Sequence, residues 1–161
     1  MKVEESIIIN RSPEDVFEFL AARKNDPVWM AAVVESEWLE PAIQDTGAPI
    51  GIGRRGRMVM KNMGRRLEHV DEVTDYEPGR RVAHRTVEGP IQLNTACLTE
   101  PVGDGCRATV VAETNTFVSG PLRKLANPIV ARIVGRGFRA DLAKLKDILE
   151  ADQAKRVTRD L

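Results

Sequence analysis

Between residues 33 and 116 the chain meets a turn signal about every 10 to 15 residues, with no helical pattern between the turns. The turns are Asn62-Met63-Gly64, Glu77-Pro78-Gly79, Gly89-Pro90 and Gly103-Asp104-Gly105. Spacing this short leaves no room for a crossover helix, so neighbouring strands run antiparallel, as a meander. The pattern predicts strands over 33–39, 54–61, 65–76, 81–87, 91–100 and 106–117. A first strand covers 3–9, and a loop rich in Pro, Gly and Asp covers 40–53. In the last hairpin Ile91, Leu93, Thr95 and Cys97 share a face with Ala108, Val110, Ala112 and Thr114. Gln92 and Asn94 share the other face with Glu113 and Asn115. One face is dry and one is wet, so a sheet of this kind needs a cover on one side.

The cover is the last long segment. Val130, Val134, Phe138, Leu142, Leu145 and Leu149 recur at spacings of four, four, four, three and four, which places them on one face of a helix. Ile129, Ile133 and Ile148 widen that stripe, while Arg132, Arg136, Arg139, Lys146 and Glu150 fall away from it. Asn127 before Pro128 reads as a cap-then-proline start, so the helix is expected over 128–150. Gly135 and Gly137 lie mid-stripe, each costing about 1 kcal/mol relative to Ala. They call for a close approach to the backbone or a bend. Near the other end, Ser12-Pro13-Glu14-Asp15 is a helix start with Val16, Phe17 and Leu20 on its apolar face. A second short helix is expected from about Asp26 to Met30, carrying Trp29.

At 161 residues the chain is long enough for one domain with a sizeable core, expected over 1–152, followed by a charged, frayed tail over 153–161. Lys+Arg and Asp+Glu are both 24, and this zero balance argues against a dedicated nucleic-acid binder. No apolar run is long enough to span a membrane. The first residues carry two glutamates ahead of a β-like run rather than an apolar leader, which makes the cytoplasm the expected location. Cys97 and Cys106 flank the Gly103-Asp104 turn. A hairpin centred there sets Cys97 opposite about residue 110, too far from Cys106 to bridge, so both are expected as free thiols.

The order strand, two short helices, six strands, long helix is accompanied by several local motifs. These are Ser-Pro-Glu-Asp-Val-Phe from Ser12, Trp29 in the second helix, Gly51-Ile52-Gly53 before the third strand, the run Tyr76-Glu77-Pro78-Gly79-Arg80-Arg81-Val82, and Val102-Gly103-Asp104-Gly105. As a set they resemble the START-like/Bet v 1-like (SRPBCC) superfamily, specifically its bacterial polyketide cyclase/dehydrase group, over about residues 2 to 150. The resemblance implies an α+β helix-grip fold. In it a seven-stranded antiparallel sheet wraps around a long C-terminal helix, with two short helices after the first strand and a cavity between sheet and helix. It implies a hydrophobic small-molecule ligand (a lipid, polyketide or aromatic metabolite), and some members cyclise or dehydrate polyketides. The competing class is a protein-interaction module, as in the Hsp90-activator-like branch, and the resemblance also admits a protein partner or a homodimer.

Candidate chemistry is sparse. Gly51-Ile52-Gly53-Arg54-Arg55-Gly56 matches G-x-G-x-x-G, but a loop precedes it and a Met-Val-Met strand follows, so no cofactor is assigned. Two histidines and two separated cysteines do not supply a set of metal ligands. If Glu77–Arg80 forms a four-residue turn, His84 pairs near Val73, on the face that carries His69 and Asp71. Facing inward, these three suffice for general acid–base work near neutral pH. The competing account, favoured by the mixed pattern of Leu67, Val70, Val73 and Tyr76, makes them ordinary strand residues.

Trp29, Trp38, Met58, Met60 and Phe138 suit either a ligand cavity or plain core. In a helix-grip fold Leu142, Leu145 and Leu149 would seal the core, and the smaller first half of the helix, with Val134 and Gly137, would leave room for a ligand. Arg54, Arg55, Arg57, Arg65, Arg66, Arg80, Arg81 and Arg85 cluster on neighbouring strands. They form a solvated face or, on the sharper reading, a docking patch for an anionic partner or an acyl carrier.

Overall fold

The computed structural model describes residues 1–39, 50–62, 64–114 and 123–159. Strand β1 (Lys2–Ile9) leads into helix α1 (Pro13–Ala21), a 3-10 turn (Arg23–Asn25) and the short helix α2 (Asp26–Trp29). Six strands follow: β2 (Val33–Trp38), β3 (Arg55–Asn62), β4 (Arg65–Glu77), β5 (Arg81–Glu88), β6 (Asn94–Val102) and β7 (Gly105–Glu113). The long helix α3 (Arg123–Arg159) closes the chain. All seven strands form one antiparallel sheet in the order β1-β7-β6-β5-β4-β3-β2. Helix α1 starts as its sequence indicates, with the Ser12 hydroxyl accepting from the Asp15 amide at 3.2 Å and Pro13 in the first turn.

The last hairpin has the expected register, with Thr95 opposite Ala112 and Cys97 opposite Val110. Both cysteines are free. Strand β6 begins at Asn94 rather than at 91. At Leu93 one of the two backbone bonds is replaced: the Thr86 amide still donates to the Leu93 carbonyl at 2.9 Å, but the Leu93 amide donates to the Thr86 hydroxyl at 3.3 Å. Asn115 and the expected end of β7 lie outside the described residues.

Helix α3 departs from expectation at three points. It begins at Arg123, so Pro128 sits inside it and not at its start. Proline's fixed φ is helical, and the local loss is the backbone bond to the carbonyl four residues earlier. The helix also runs through the charged segment to Arg159. Finally, Ile129 and Ile133 do not widen the buried stripe: they are 64% and 63% exposed. Helical geometry turns them to the side opposite Leu142 and Leu145, where no other element among the described residues covers them.

The core lies under the second half of α3. Leu142, Leu145 and Leu149 pack with Ile9, Val16, Leu20, Trp29, Cys106, Ala108 and Val110, with Phe138 and Ile148 at its margin. Each fully buried aliphatic side chain contributes roughly 1.5–3 kcal/mol. Polar tethers fix the same half of the helix. Lys146 Nζ donates to the Ile8 carbonyl at 2.8 Å, Arg11 Nη1 to the Leu149 carbonyl at 3.0 Å, and the Ala31 amide to Asp141 Oδ1 at 3.0 Å. Gly135 is the close approach that its position called for: a Cβ there would lie 2.8 Å from Glu5 Oε1 on β1. A Cβ at Gly137 would meet nothing within 4 Å, so close approach explains only one of the two glycines.

Two outcomes follow from this packing. Leu145→Ala should lower the free energy of unfolding in urea by about 2–5 kcal/mol, the range for emptying a buried leucine site. Thiol titration of denatured, unreduced protein should find both cysteines reactive, whereas a Cys97–Cys106 bridge would contradict the β6–β7 register.

Candidate binding site

The inner face of the sheet is dry beneath the second half of α3 and polar toward β4. The β4–β5 register sets His84 opposite Val73, as the turn at Glu77–Arg80 implied, and Thr86 opposite Asp71. Register shifts at Val70/Asp71 and at Val73/Asp75 bracket Asp71. Such irregularities re-aim side chains. Here Asp71 is buried and faces both imidazoles: His84 Nδ1 lies 3.3 Å from its Oδ1, and His69 Nε2 lies 3.7 Å from its Oδ2.

The cation that completes the cluster comes from the other side of the fold. Arg23, in the 3-10 turn, donates through Nη2 to Asp71 Oδ1, and its Nη1 lies 3.3 Å from Ser36 Oγ on β2. Ser36 Oγ in turn donates to Asp26 Oδ2 at 2.6 Å. Gly56 explains how the guanidinium reaches so deep. It stands opposite Asp71 in the β3–β4 register, and a Cβ on it would overlap the Arg23 guanidinium. The guanidinium carbons of Arg23 and Arg54 lie 4.7 and 4.3 Å from the Trp38 ring centroid, and the Trp38 and His84 rings are 6.3 Å apart.

Burial and charge pull these groups in different directions. Burial pushes the Asp26 carboxyl up to about 6, against the opposing pull of Ser36 and Arg23. Burial acts the same way on Asp71, but contact with His84 and Arg23 outweighs it and holds Asp71 below the ordinary carboxylate range. Burial lowers His69, so that imidazole favours its neutral form at neutral pH. A fixed carboxylate facing two imidazoles can orient one ring and support proton transfer through it.

Of the residues singled out in the sequence, the structure gathers His69, Asp71, His84 and Trp38 in this cluster. Met58 is set opposite His69 and Ser36, and Met60 opposite Leu67 and Val33. Met58, Met60, Val134 and Phe138 are half-buried. Trp29 is buried with the leucine core, and Gly137 is exposed. Arg23, Asp26, Ser36 and Gly56 were not singled out as site residues. A glycine inside an alternating strand was the available sign, since it marks a close approach by another group.

Most of the strand arginines are paired or buried, although Arg55 and Arg65 are exposed and in no ion pair among the described residues. Arg57 pairs with Glu35, Glu37 and Glu68, Arg66 with Glu35, Arg80 with Glu77, Arg81 with Asp75 and Arg85 with Glu72, while Arg54 is buried. Most of this set is a solvated, charge-balanced face.

A curled seven-stranded antiparallel sheet, two short helices after β1 and a long C-terminal helix define a helix-grip, START-like fold. Over residues 1–150 the chain matches the family described as polyketide cyclase/dehydrase and lipid transport, and it belongs to that family. Solved structures of the same fold include a protein of Thermus thermophilus, with 18% identity, coverage of 94% of this chain and 99% of that one, and a TM-score of 0.74. A START superfamily protein from Mycobacterium smegmatis shares 15% identity over 93% of this chain and 97% of that one, with a TM-score of 0.72. The Zhui aromatase/cyclase from Streptomyces sp. R1128 shares 18% identity over 93% of each chain, with a TM-score of 0.71. No curated protein matches the chain.

The cluster yields two expected outcomes. Gly56→Ala should displace Arg23 from Asp71 and destabilise the fold by about 3–5 kcal/mol, the cost of breaking a buried ion pair. Asp26 is raised in the folded state, so its contribution to stability is complete below the ordinary carboxylate range and is lost as pH rises through about 6. Urea unfolding of wild type and Asp26→Asn, compared at acid and neutral pH, should show the variant gaining relative stability as pH rises, by about 2–3 kcal/mol. A pH-independent difference would contradict the burial of Asp26.

Proposed function

We propose that the chain binds a hydrophobic small molecule (a lipid, polyketide or aromatic metabolite) between the first half of α3 and the inner face of β2–β6. The observation that carries this is a contrast along the inner face. Ile9, Cys106 and Ala108 under Leu142 and Leu145 are sealed, whereas Met58, Met60, His69, His84, Thr95 and Phe138 are only half-buried. Helix α3 has its close backbone contacts with β1 and α2, which supports reading those half-buried side chains as the border of a space between its first half and β3–β5. Val134, Gly137 and Phe138 would form the roof, Met58 and Met60 an adaptable side wall, and Trp38 and His84 the polar end.

Membership of a polyketide cyclase/dehydrase and lipid transport family supports the ligand class. For a ligand carrying a carbonyl or hydroxyl, His84 beside Asp71 is the group we assign to receive or return a proton, with His69 as the second candidate. Arg23 would hold Asp71 in place without touching the ligand. The interaction-module reading gains from the exposed Ile129 and Ile133, but it leaves the half-buried inner face without a role.

The test is a fluorescence titration with an anilinonaphthalene probe. Wild type should bind it saturably, one molecule per chain. Met58→Trp should weaken binding more than about tenfold while costing less stability than the roughly 1–3 kcal/mol of overpacking a closed core. Absence of saturable binding, together with a Met58→Trp penalty of full core size, would remove the cavity and leave the interaction module.

A further inference from the structure

The outer face of the first half of α3 sets exposed arginines directly beside exposed aliphatic side chains. Ile129 and Ile133 stand one turn apart and are 64% and 63% exposed. Arg132 and Arg136 stand beside them, also one turn apart and exposed. Together with Pro128 these four line a groove of about 370 Å³ on the side of the helix away from the core. Residues 128–140 contain three arginines, no Asp or Glu, and no neutral hydrogen-bonding side chain. On β3–β5, Arg57, Arg66, Arg81 and Arg85 each face a carboxylate. Among the described residues Arg139 pairs with Glu5 at 3.2 Å, whereas Arg132 and Arg136 pair with no carboxylate. Arg55 and Arg65 on the sheet are also exposed and in no ion pair among the described residues, but only here among the described helices do unpaired arginines stand beside the most exposed aliphatic pair.

We propose that this face docks on an anionic lipid bilayer, with Arg132 and Arg136 on headgroup phosphates and Ile129 and Ile133 entering the acyl boundary. A helix lying in a membrane interface needs cations on its polar side, aliphatic groups beside them and nothing else. A second copy of the chain fits poorly, because a two-fold contact across this face gathers the arginines of both copies with no carboxylate on residues 128–140 to neutralise them. A protein partner fits less well than a bilayer. Protein interfaces carry about ten direct hydrogen bonds of mixed donors and acceptors, and this face offers only guanidinium donors. The docking does not depend on what the inner space holds, although it would set a hydrophobic ligand's source beside Val134 and Phe138 on the opposite side of the same turns.

The experiment is flotation of the full chain with vesicles of phosphatidylcholine alone and of phosphatidylcholine mixed with phosphatidylglycerol, at roughly 0.1 M and 1 M salt. Wild type should float with the anionic vesicles at low salt, and float poorly at high salt or with neutral lipid. Arg132→Glu/Arg136→Glu and Ile129→Ser/Ile133→Ser should each cut binding more than about tenfold, with melting temperatures near wild type because all four side chains are exposed. The salt and lipid series on wild type decides the matter even if a variant folds poorly. Failure to float with any vesicle, or equal flotation with both kinds, overturns the proposal. So does a concentration-dependent dimer in sedimentation that Ile129→Ser/Ile133→Ser dissolves, which would assign the face to a second copy. Flotation unaffected by either double variant would overturn it as well, because the contact would then lie elsewhere.

Discussion

The ion pair between Arg23 and Asp71 is the interaction on which the polar half of the structure depends. It joins the segment after β1 to β4, 48 residues away in sequence, and both side chains are more than nine-tenths buried. A pair this dry gains little net stability when intact but is costly to break, since the survivor is left charged and unsolvated. The rest of the cluster follows from it. Ser36 shares the guanidinium and hands a hydrogen bond to Asp26, His69 and His84 approach the same carboxylate, and Gly56 provides the space the cation occupies. The curled sheet is therefore held at two places, by leucines at one end and by a buried charge network at the other.

This division gives α3 two different halves. Its second half is clamped to the core by Leu142, Leu145 and Leu149, to β1 by Lys146 and to the Ala31 amide after α2 by Asp141. Among the described residues its first half meets the leucine core through Phe138 and presents the exposed isoleucines outward. The proposed ligand site draws on this difference, because it needs one half of the helix to seal the core and the other to border the ligand.

The strands, their order and the hairpin faces were legible because they follow from local turn chemistry and period-two alternation. The β4–β5 turn alone was enough to set His84 opposite Val73. What the pattern could not show is what lies on the far side of a residue. Ile129 and Ile133 have the composition of core positions, and their exposure follows from the lack, among the described residues, of any element covering them. The asparagine-proline pair at 127–128 resembles a helix start, yet helix is already established from Arg123. The strand arginines admitted both a solvated face and a docking patch, because several of their partners sit across strands, at separations such as the 31 residues between Arg66 and Glu35. Arg23 gave no local sign for the same reason, since its role exists only in the folded contact with Asp71.

The central claim is that the space bordered by Met58, His84 and Phe138 takes up a hydrophobic molecule. The most direct test is a heteronuclear NMR titration of the isotope-labelled chain with a hydrophobic aromatic probe. The account predicts saturable shifts concentrated at the methyls of Met58, Met60 and Val134, the ring of Phe138 and the imidazoles of His69 and His84, with Leu145 and the paired sheet arginines unmoved. Shifts confined to Ile129 and Ile133, or spread without saturation over the surface, would contradict it.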